Sequence, residues 1–214
     1  MSRRALPMGL YAVTDAGMTP GEQLPLAVAA AIRGGARIVQ YRNKNPDPAL
    51  RLREAAVLRS VCTQAGAVFI VNDDPALARA IGADGVHVGR DDPDPDSIRA
   101  DGNPDLIVGV SCYADPGAAR AAVAAGADYV AFGSVFPSST KPGAVAAPLE
   151  LLGEGSSLGV PVVAIGGITE NNIGSVAASG AHGAAVISAL FADADPEDAA
   201  RRLSSAFFRS APTT

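Results

Sequence analysis

Eight short apolar runs punctuate the chain, at residues 9–13, 38–41, 68–71, 85–88, 106–110, 129–132, 162–165 and 184–187. They are apolar on both faces rather than alternating, which is the pattern of a parallel strand covered on each side. Between them apolar residues return with helical spacing. Leu24, Ala27, Val28, Ala31 and Ile32 form one such face, ending at Gly34 and Gly35. The boundaries repeat as well. Gly-Ala precedes a strand-like run at Gly35-Ala36, Gly66-Ala67, Gly82-Ala83, Gly126-Ala127 and Gly180-Ala181, each glycine suited to the left-handed position that ends a helix. Asp-Pro opens the helices at Asp47-Pro48, Asp74-Pro75, Asp115-Pro116 and Asp195-Pro196, pairing an N-cap carboxylate with a proline at the first helical position.

Eight β-then-α units predict a closed (β/α)8 TIM barrel, a single domain over residues 1–214 with loose termini at 1–8 and 210–214. The helices after strands four and six are the least defined. An open doubly wound sheet is the alternative. It would carry a glycine-rich dinucleotide turn after its first strand, and Thr14-Asp15-Ala16-Gly17 is not one.

Composition narrows the function. The 214 residues are 48% hydrophobic and carry a net charge of −5, so no global field favours nucleic acid or an anionic membrane. Any anion must be held by a local cluster. The uncharged stretch 171–192 contains Asn, Ser, His and Gly, which argues for a helix followed by a strand rather than a membrane span. Cys62 and Cys112 show neither metal spacing nor a disulfide framework, which fits a reducing cytoplasm. Pro7, Gly9 and Asp15 interrupt the apolar patch after Arg3 and Arg4, against a signal peptide. A homo-oligomer is compatible with all of this.

In a barrel the residues just after each strand gather at one mouth. After strand six, residues 132–142 run Phe-Gly-Ser-Val-Phe-Pro-Ser-Ser-Thr-Lys-Pro. Three hydroxyls (Ser138, Ser139, Thr140), a glycine and the ammonium of Lys141 are the donors a phosphate needs, though an ordinary surface turn also uses such residues. Strand two leads into Gln40, Arg42 and Lys44, which alternation puts on one side; a solvated loop would explain them equally. Strand three ends in Asn72-Asp73-Asp74, of which Asp74 is accounted for as a cap. Strand four ends in His87-Val88-Gly89-Arg90-Asp91-Asp92. Two carboxylates from adjacent strand ends beside these cations suit Mg2+ bridging protein and a diphosphate, while Asp91 and Asp92 are alternatively another helix cap. His87 lies within a strand and reads as a packed or hydrogen-bonded residue, and His182 as structural. Strand five ends in Ser111-Cys112-Tyr113, where Ser111 can donate to phosphate and Cys112 lacks a base. Gly166-Gly167 after strand seven and Ile187-Ser188 after strand eight occupy the usual monophosphate position of barrels, although a tight turn would also need two glycines. The reading is two anion sites and no nucleophile–base pair, as for two phosphorylated substrates brought together with loss of diphosphate.

The ordered set Tyr11-Ala12-Val13-Thr14-Asp15, Gln40-x-Arg42-x-Lys44, Asn72-Asp73, Gly82-Ala83-Asp84-Gly85-Val86-His87, Gly109-Val110-Ser111, Ser138-x-Thr140-Lys141, Ala164-Ile165-Gly166-Gly167-Ile168 and Val186-Ile187-Ser188 resembles the thiamine phosphate synthase family over nearly the whole chain. The resemblance implies a transferase of thiamine biosynthesis that joins a pyrimidine diphosphate to a thiazole phosphate. It implies Gln40, Arg42, Lys44, Asn72, Ser111 and Lys141 as ligands of the pyrimidine diphosphate, with Lys141, Ser111 and Arg42 catalytic. Asp73 and Asp92 would hold Mg2+. Ser138, Ser139, Thr140, Gly167, Ile187 and Ser188 would contact the thiazole phosphate. The expected mechanism is dissociative: diphosphate leaves, a pyrimidine-stabilised carbocation forms, and the thiazole nitrogen attacks. Three positions depart from the family pattern: Arg90 stands for Gln, Ser138 for Thr, and Cys112-Tyr113 for a small residue followed by His. Rival readings are a thiazole tautomerase-type paralogue, a phosphosugar epimerase or aldolase, and a non-catalytic sensor of thiamine precursors. The tautomerase has little use for Asp73, Asp92, Lys44 and Lys141 together.

Overall fold

The eight apolar runs form eight parallel strands: β1 Gly9–Val13, β2 Ala36–Tyr41, β3 Val68–Asn72, β4 Gly85–Val88, β5 Ile107–Tyr113, β6 Tyr129–Gly133, β7 Val162–Ile165 and β8 Gly183–Val186. In this computed structural model, which describes residues 5–89, 92–101, 104–137 and 147–212, they pair in sequence order and β8 closes on β1. The expected (β/α)8 barrel is therefore the fold. Around it lie α1 Gln23–Arg33, α2 Pro48–Ala65, α3 Pro75–Ala80, α4 Pro95–Ala100 and α5 Pro116–Ala124. A 3-10 turn Leu149–Glu154 runs into α6 Gly155–Leu158, and α7 Ile173–Ala178, α8 Ser188–Phe191 and α9 Pro196–Ser210 follow. The units after β4 and β6 carry short regular helices, of six and four residues. No helix of the described residues is long and apolar enough to cross a membrane.

Strand alternation divides the core in two. Leu10, Ala12, Val39, Phe69, Val71, Val108 and Val130 pack outward against helix residues such as Leu24, Val28 and Leu58. Tyr11, Val13, Ile38, Val68, Ile70, Ile107, Tyr129, Ala131, Val163 and Ala185 fill the barrel interior as a separate cluster. Each buried Leu, Ile, Val or Phe contributes about 1.5–3 kcal/mol by leaving water.

The boundary chemistry behaves as the sequence predicts. Asp47, Asp74, Asp115 and Asp195 each accept backbone N–H groups at the start of a helix with proline at its first turn. Asp94-Pro95 is a fifth such cap, not anticipated. All five Gly-Ala glycines lie at positive φ. In two of the units the residue after Gly-Ala also ties the barrel to its helices. Asp84 accepts from Phe69 N at 2.8 Å and from Arg59 at 2.9 Å. Asp128 does the same for Val108 N and Arg99 one quarter-barrel later. His182 donates from Nε2 to the Leu6 carbonyl at 2.9 Å, and Leu6 is buried, so the approach to β1 is held beneath the barrel.

Candidate active site

Alternation fixes which side chains face the mouth. The interior positions at the C-terminal ends of β2, β3, β4 and β5 are Gln40, Asn72, His87 and Ser111, all polar, above layers that are apolar. The corresponding positions of β6, β7 and β8 are Gly133, Ile165 and Ile187. One half of the mouth thus offers side-chain hydrogen bonds and the other backbone and apolar surface. Between them lies a cavity of about 400 Å3, lined by Gln40, Arg42, Asn72 and Ser111 on the polar side and by Gly167, Ile187 and Ser188 on the other. A hollow of about 450 Å3 on the opposite face, among Ala5, Pro7, Ile32, Arg37 and Ala67, gathers none of these groups.

Arg42 is clamped from β1. Its backbone N–H donates to Thr14 Oγ1 at 2.9 Å and its guanidinium reaches Asp15 at 3.5 Å. Both Thr14 and Asp15 belong to the first motif of the resemblance, yet their role was not legible before the register was known. Lys44 is exposed on the loop after β2 and does not line the cavity. That loop is shaped from behind: Tyr41 Oη and Asn43 Nδ2 both donate to Glu54 Oε2, at 2.7 and 2.8 Å. Glu54 was missed because its helix position reads as ordinary solvated charge.

Asp73 follows β3 at φ 60°, its N–H donating to the His87 carbonyl at 2.8 Å. Asp92 accepts from Gly89 N at 2.7 Å through Oδ2. The helix cap in this segment is Asp94, so capping does not account for Asp92. Burial and then the charge of Asp92 push the Asp73 carboxyl up, while a hydrogen bond from Asn72 and the charges of Lys44 and Arg42 oppose the rise. The two carboxylates therefore sense one another at the edge of the mouth. Among the described residues no group of three or more His, Cys, Asp or Glu side chains is placed to hold a metal. Arg90, Asp91, Ser138, Ser139, Thr140 and Lys141 lie outside the described residues.

The double glycine has a packing reason of its own. A Cβ at Gly166 would lie 2.6 Å from Ser134 Cα, and one at Gly167 would lie 2.5 Å from the Pro137 carbonyl. Phe136 N donates to Gly166 O at 3.1 Å, so the segments after β6 and β7 touch backbone to backbone. Asn172, also unanticipated, fixes the turn by accepting from Thr169 N at 2.7 Å and donating to Gly167 O at 3.0 Å. Gly167 lines the cavity, but glycine is demanded there with or without a ligand.

At the floor, the tyrosines of β1 and β6 point inward and complete a polar chain. Gln40 Nε2 donates to Tyr11 Oη at 2.8 Å, and Tyr11 and Tyr129 share a hydrogen bond of 2.9 Å. Tyr129 Oη meets His87 Nδ1 at 2.9 Å, and His87 Nε2 meets Ser111 Oγ at 2.8 Å. Sequence alone shows no nucleophile–base pair, whereas in the fold Ser111 and His87 stand within hydrogen-bonding reach. They lack the third member that would make such a pair work. Behind His87 is a tyrosine hydroxyl rather than a carboxylate, and burial pulls the imidazole down to about 4. At neutral pH it is a weak base, and Ser111 reads as a held hydroxyl. Cys112 is equally unsuited to attack, its thiol buried and pushed up to about 11. Tyr113, at φ 53° beyond a register shift in β5, is half exposed and lines the mouth.

A family profile described as thiamine monophosphate synthase matches residues 10–190. The chain is 53% identical over 200 residues to a thiamine-phosphate synthase of Chromobacterium violaceum, covering 94% of this chain and 96% of that one. It is 53% identical over 203 residues to another from Halorhodospira halophila, covering 94% and 95%. A solved thiamine phosphate pyrophosphorylase from Pyrococcus furiosus superposes with a TM-score of 0.86 at 34% identity, over 95% of this chain and 96% of that one. With barrel, mouth and these likenesses in agreement, the chain belongs to the thiamine monophosphate synthase family of thiamine biosynthesis.

Proposed function

We propose that the chain condenses 4-amino-2-methyl-5-(diphosphooxymethyl)pyrimidine with 4-methyl-5-(2-phosphoethyl)thiazole, or with its carboxylated form and loss of carbon dioxide, giving thiamine phosphate and diphosphate. The observation that carries the reading is the two-sided mouth: inward Gln40, Asn72 and Ser111 with Arg42 on one side, Gly167, Ile187 and Ser188 on the other. Such a mouth suits two different phosphorylated molecules held face to face. In the reaction the bond between the pyrimidine methylene carbon and the diphosphate oxygen breaks, its electron pair leaving with diphosphate. The thiazole nitrogen then donates its lone pair to the methylene cation. No step requires a protein nucleophile or a strong base, in keeping with the low basicity of His87 and the raised thiol of Cys112.

The chain's own groups would work by position and charge. Ser111 and Asn72 would donate to the leaving diphosphate, and Arg42, steadied by Thr14 and Asp15, would carry positive charge toward it. Lys44 and Lys141 would add charge from the loops. The donor set at the edge fits Mg2+: Asp73 and Asp92 repel one another, one or two carboxylates suffice, and phosphate oxygens with water complete the shell. Bound there, Mg2+ would neutralise charge on the departing diphosphate. The repelling carboxylates and the cations beside them favour this transferase over the tautomerase-type paralogue, which needs one phosphate site and no metal. A cytoplasmic location accords with the free, buried cysteines.

The test is a coupling assay with both substrates and Mg2+, following thiamine phosphate and diphosphate by chromatography with an EDTA control. Equimolar products that vanish with EDTA are expected. No product from protein shown to be folded overturns the proposal.

A further inference from the structure

The buried chain across the barrel floor uses hydrogens that can be counted. Gln40 donates to Tyr11, so the Tyr11 oxygen is already an acceptor. Tyr11 is buried, and its other hydrogen-bond partner among the described residues is Tyr129. If Tyr129 donated to Tyr11, the Tyr11 hydrogen would be left with no protein acceptor among the described residues, an arrangement that native interiors avoid. Tyr11 must therefore donate to Tyr129. By the same count Tyr129, fully buried between Tyr11 and His87, must donate to His87 Nδ1. An imidazole that accepts at Nδ1 carries its proton on Nε2 and donates it to Ser111 Oγ. Ser111 then has one hydrogen left, and each buried partner behind it is already supplied. Gly109 shows that the chain is built in: a Cβ there would fall 1.9 Å from Tyr129 Cζ and 2.4 Å from its oxygen.

We infer that Gln40, Tyr11, Tyr129, His87 and Ser111 form a one-way donor relay that fixes His87 as its Nε2–H tautomer and turns the Ser111 hydroxyl hydrogen toward a phosphate oxygen in the mouth. Tyr11, Tyr129 and His87 are positioning residues and act through Ser111. This rests on the proposed reading of Ser111 as a diphosphate ligand, but the polarity of the relay does not. The relay also ties the two walls of the polar half together. With one N–H of Gln40 engaged by Tyr11, its carbonyl and second N–H remain to meet a ligand.

The experiment is nitrogen NMR of histidine-labelled, ligand-free protein, which has only two histidines to assign, together with calorimetry of inorganic diphosphate and Mg2+ on wild type and Tyr129→Phe. Phenylalanine keeps the ring for which Gly109 makes room and deletes the hydroxyl that donates to His87 and accepts from Tyr11. Expected are a protonated Nε2 and bare Nδ1 at His87 in the wild type, loss of that tautomer preference in Tyr129→Phe, and diphosphate binding weaker by about tenfold in the variant. A wild-type His87 protonated on Nδ1 overturns the relay, whether or not the coupling assay succeeds. Equal diphosphate affinity in the two proteins, with the tautomer released in the variant, overturns the control of Ser111. If the wild type couples the two substrates while Ser111→Ala binds diphosphate as tightly as the wild type, this inference fails and the proposed function stands.

Discussion

His87 is a residue whose environment makes a measurable demand on pH. Its imidazole is buried, stacked at 5.5 Å on Tyr129, and pulled from 6.5 to about 4 chiefly by loss of water, with the charge of Asp92 opposing. In the unfolded chain the ring takes up a proton near 6.5; in the folded barrel it does so only near 4. The unfolded state therefore binds more protons between these values, and folded stability is lost as pH falls through that window. Full stability from this group is present above 6.5. Denaturant unfolding at about pH 7 and about pH 4.5 should show the wild type losing on the order of 2 kcal/mol more than His87→Asn, which cannot titrate. Parallel losses in the two proteins would mean that the ring is not held neutral. A second prediction concerns Ser188, on the apolar half of the mouth. Ser188→Ala should raise KM for the thiazole phosphate several-fold, the loss of one hydrogen bond to an anion, and leave KM for the pyrimidine diphosphate unchanged.

Elements in this barrel are delimited by a code that acts over a few residues, which is why so much of it could be read in advance. Asp-Pro and Gly-Ala state where a helix starts and stops, and all eight strand starts fall within two residues of the starts of the apolar runs, β5 one residue late at Ile107. The continuation of β5 to Tyr113 was hidden because a register shift against β6, not a local preference, creates it. Likewise Tyr11 and Tyr129 are 118 residues apart, and no periodicity could have joined them before the register was known. The cavity-lining Gln40, Arg42, Asn72 and Ser111 were legible because alternation along a strand is local too. Asp92 was ambiguous until Asp94 proved to be the cap, a distinction two residues wide. The cap code itself is testable at α9, whose Asp195 accepts from Glu197 N at 3.0 Å and Asp198 N at 3.1 Å. Asp195→Ala should cost about 1 kcal/mol, lowering the melting temperature by roughly 2–4 °C. Gly34→Ala should cost more than its helix propensity returns, since the new Cβ would sit 2.2 Å from the Glu197 carbonyl where α1 meets α9. A melting temperature unchanged by Gly34→Ala would show that α9 can slide.

Across the whole molecule, the barrel converts eight similar units into an asymmetric mouth. Polar interior positions cluster on β2 to β5 and apolar or backbone positions on β6 to β8, and the proposed reading gives charge chemistry the first half and the second substrate the other. Asp73 and Asp92 come from adjacent units of the charged half, β3 and β4, and reach each other only because those strands are neighbours in the closed sheet. Removing Asp92 relieves the repulsion that raises Asp73 and takes away the acceptor of the Gly89 N–H, two small effects of opposite sign. Stability should therefore be near wild type in Asp92→Ala. Turnover should fall on the order of a hundredfold or more, because the Mg2+ that Asp92 would help to hold would neutralise negative charge that develops as diphosphate leaves. The loss belongs in kcat rather than in KM for the thiazole phosphate, the opposite signature to Ser188→Ala. Steady-state kinetics with each substrate varied in turn would resolve the two. If Asp92→Ala instead raised KM for the thiazole phosphate and spared kcat, the division of the mouth into a metal-and-diphosphate half and a thiazole half would be wrong. If turnover stayed near normal, the assignment of the carboxylate pair to Mg2+ would fall with it, and the leaving group would have to be stabilised by Arg42 and the loop lysines alone.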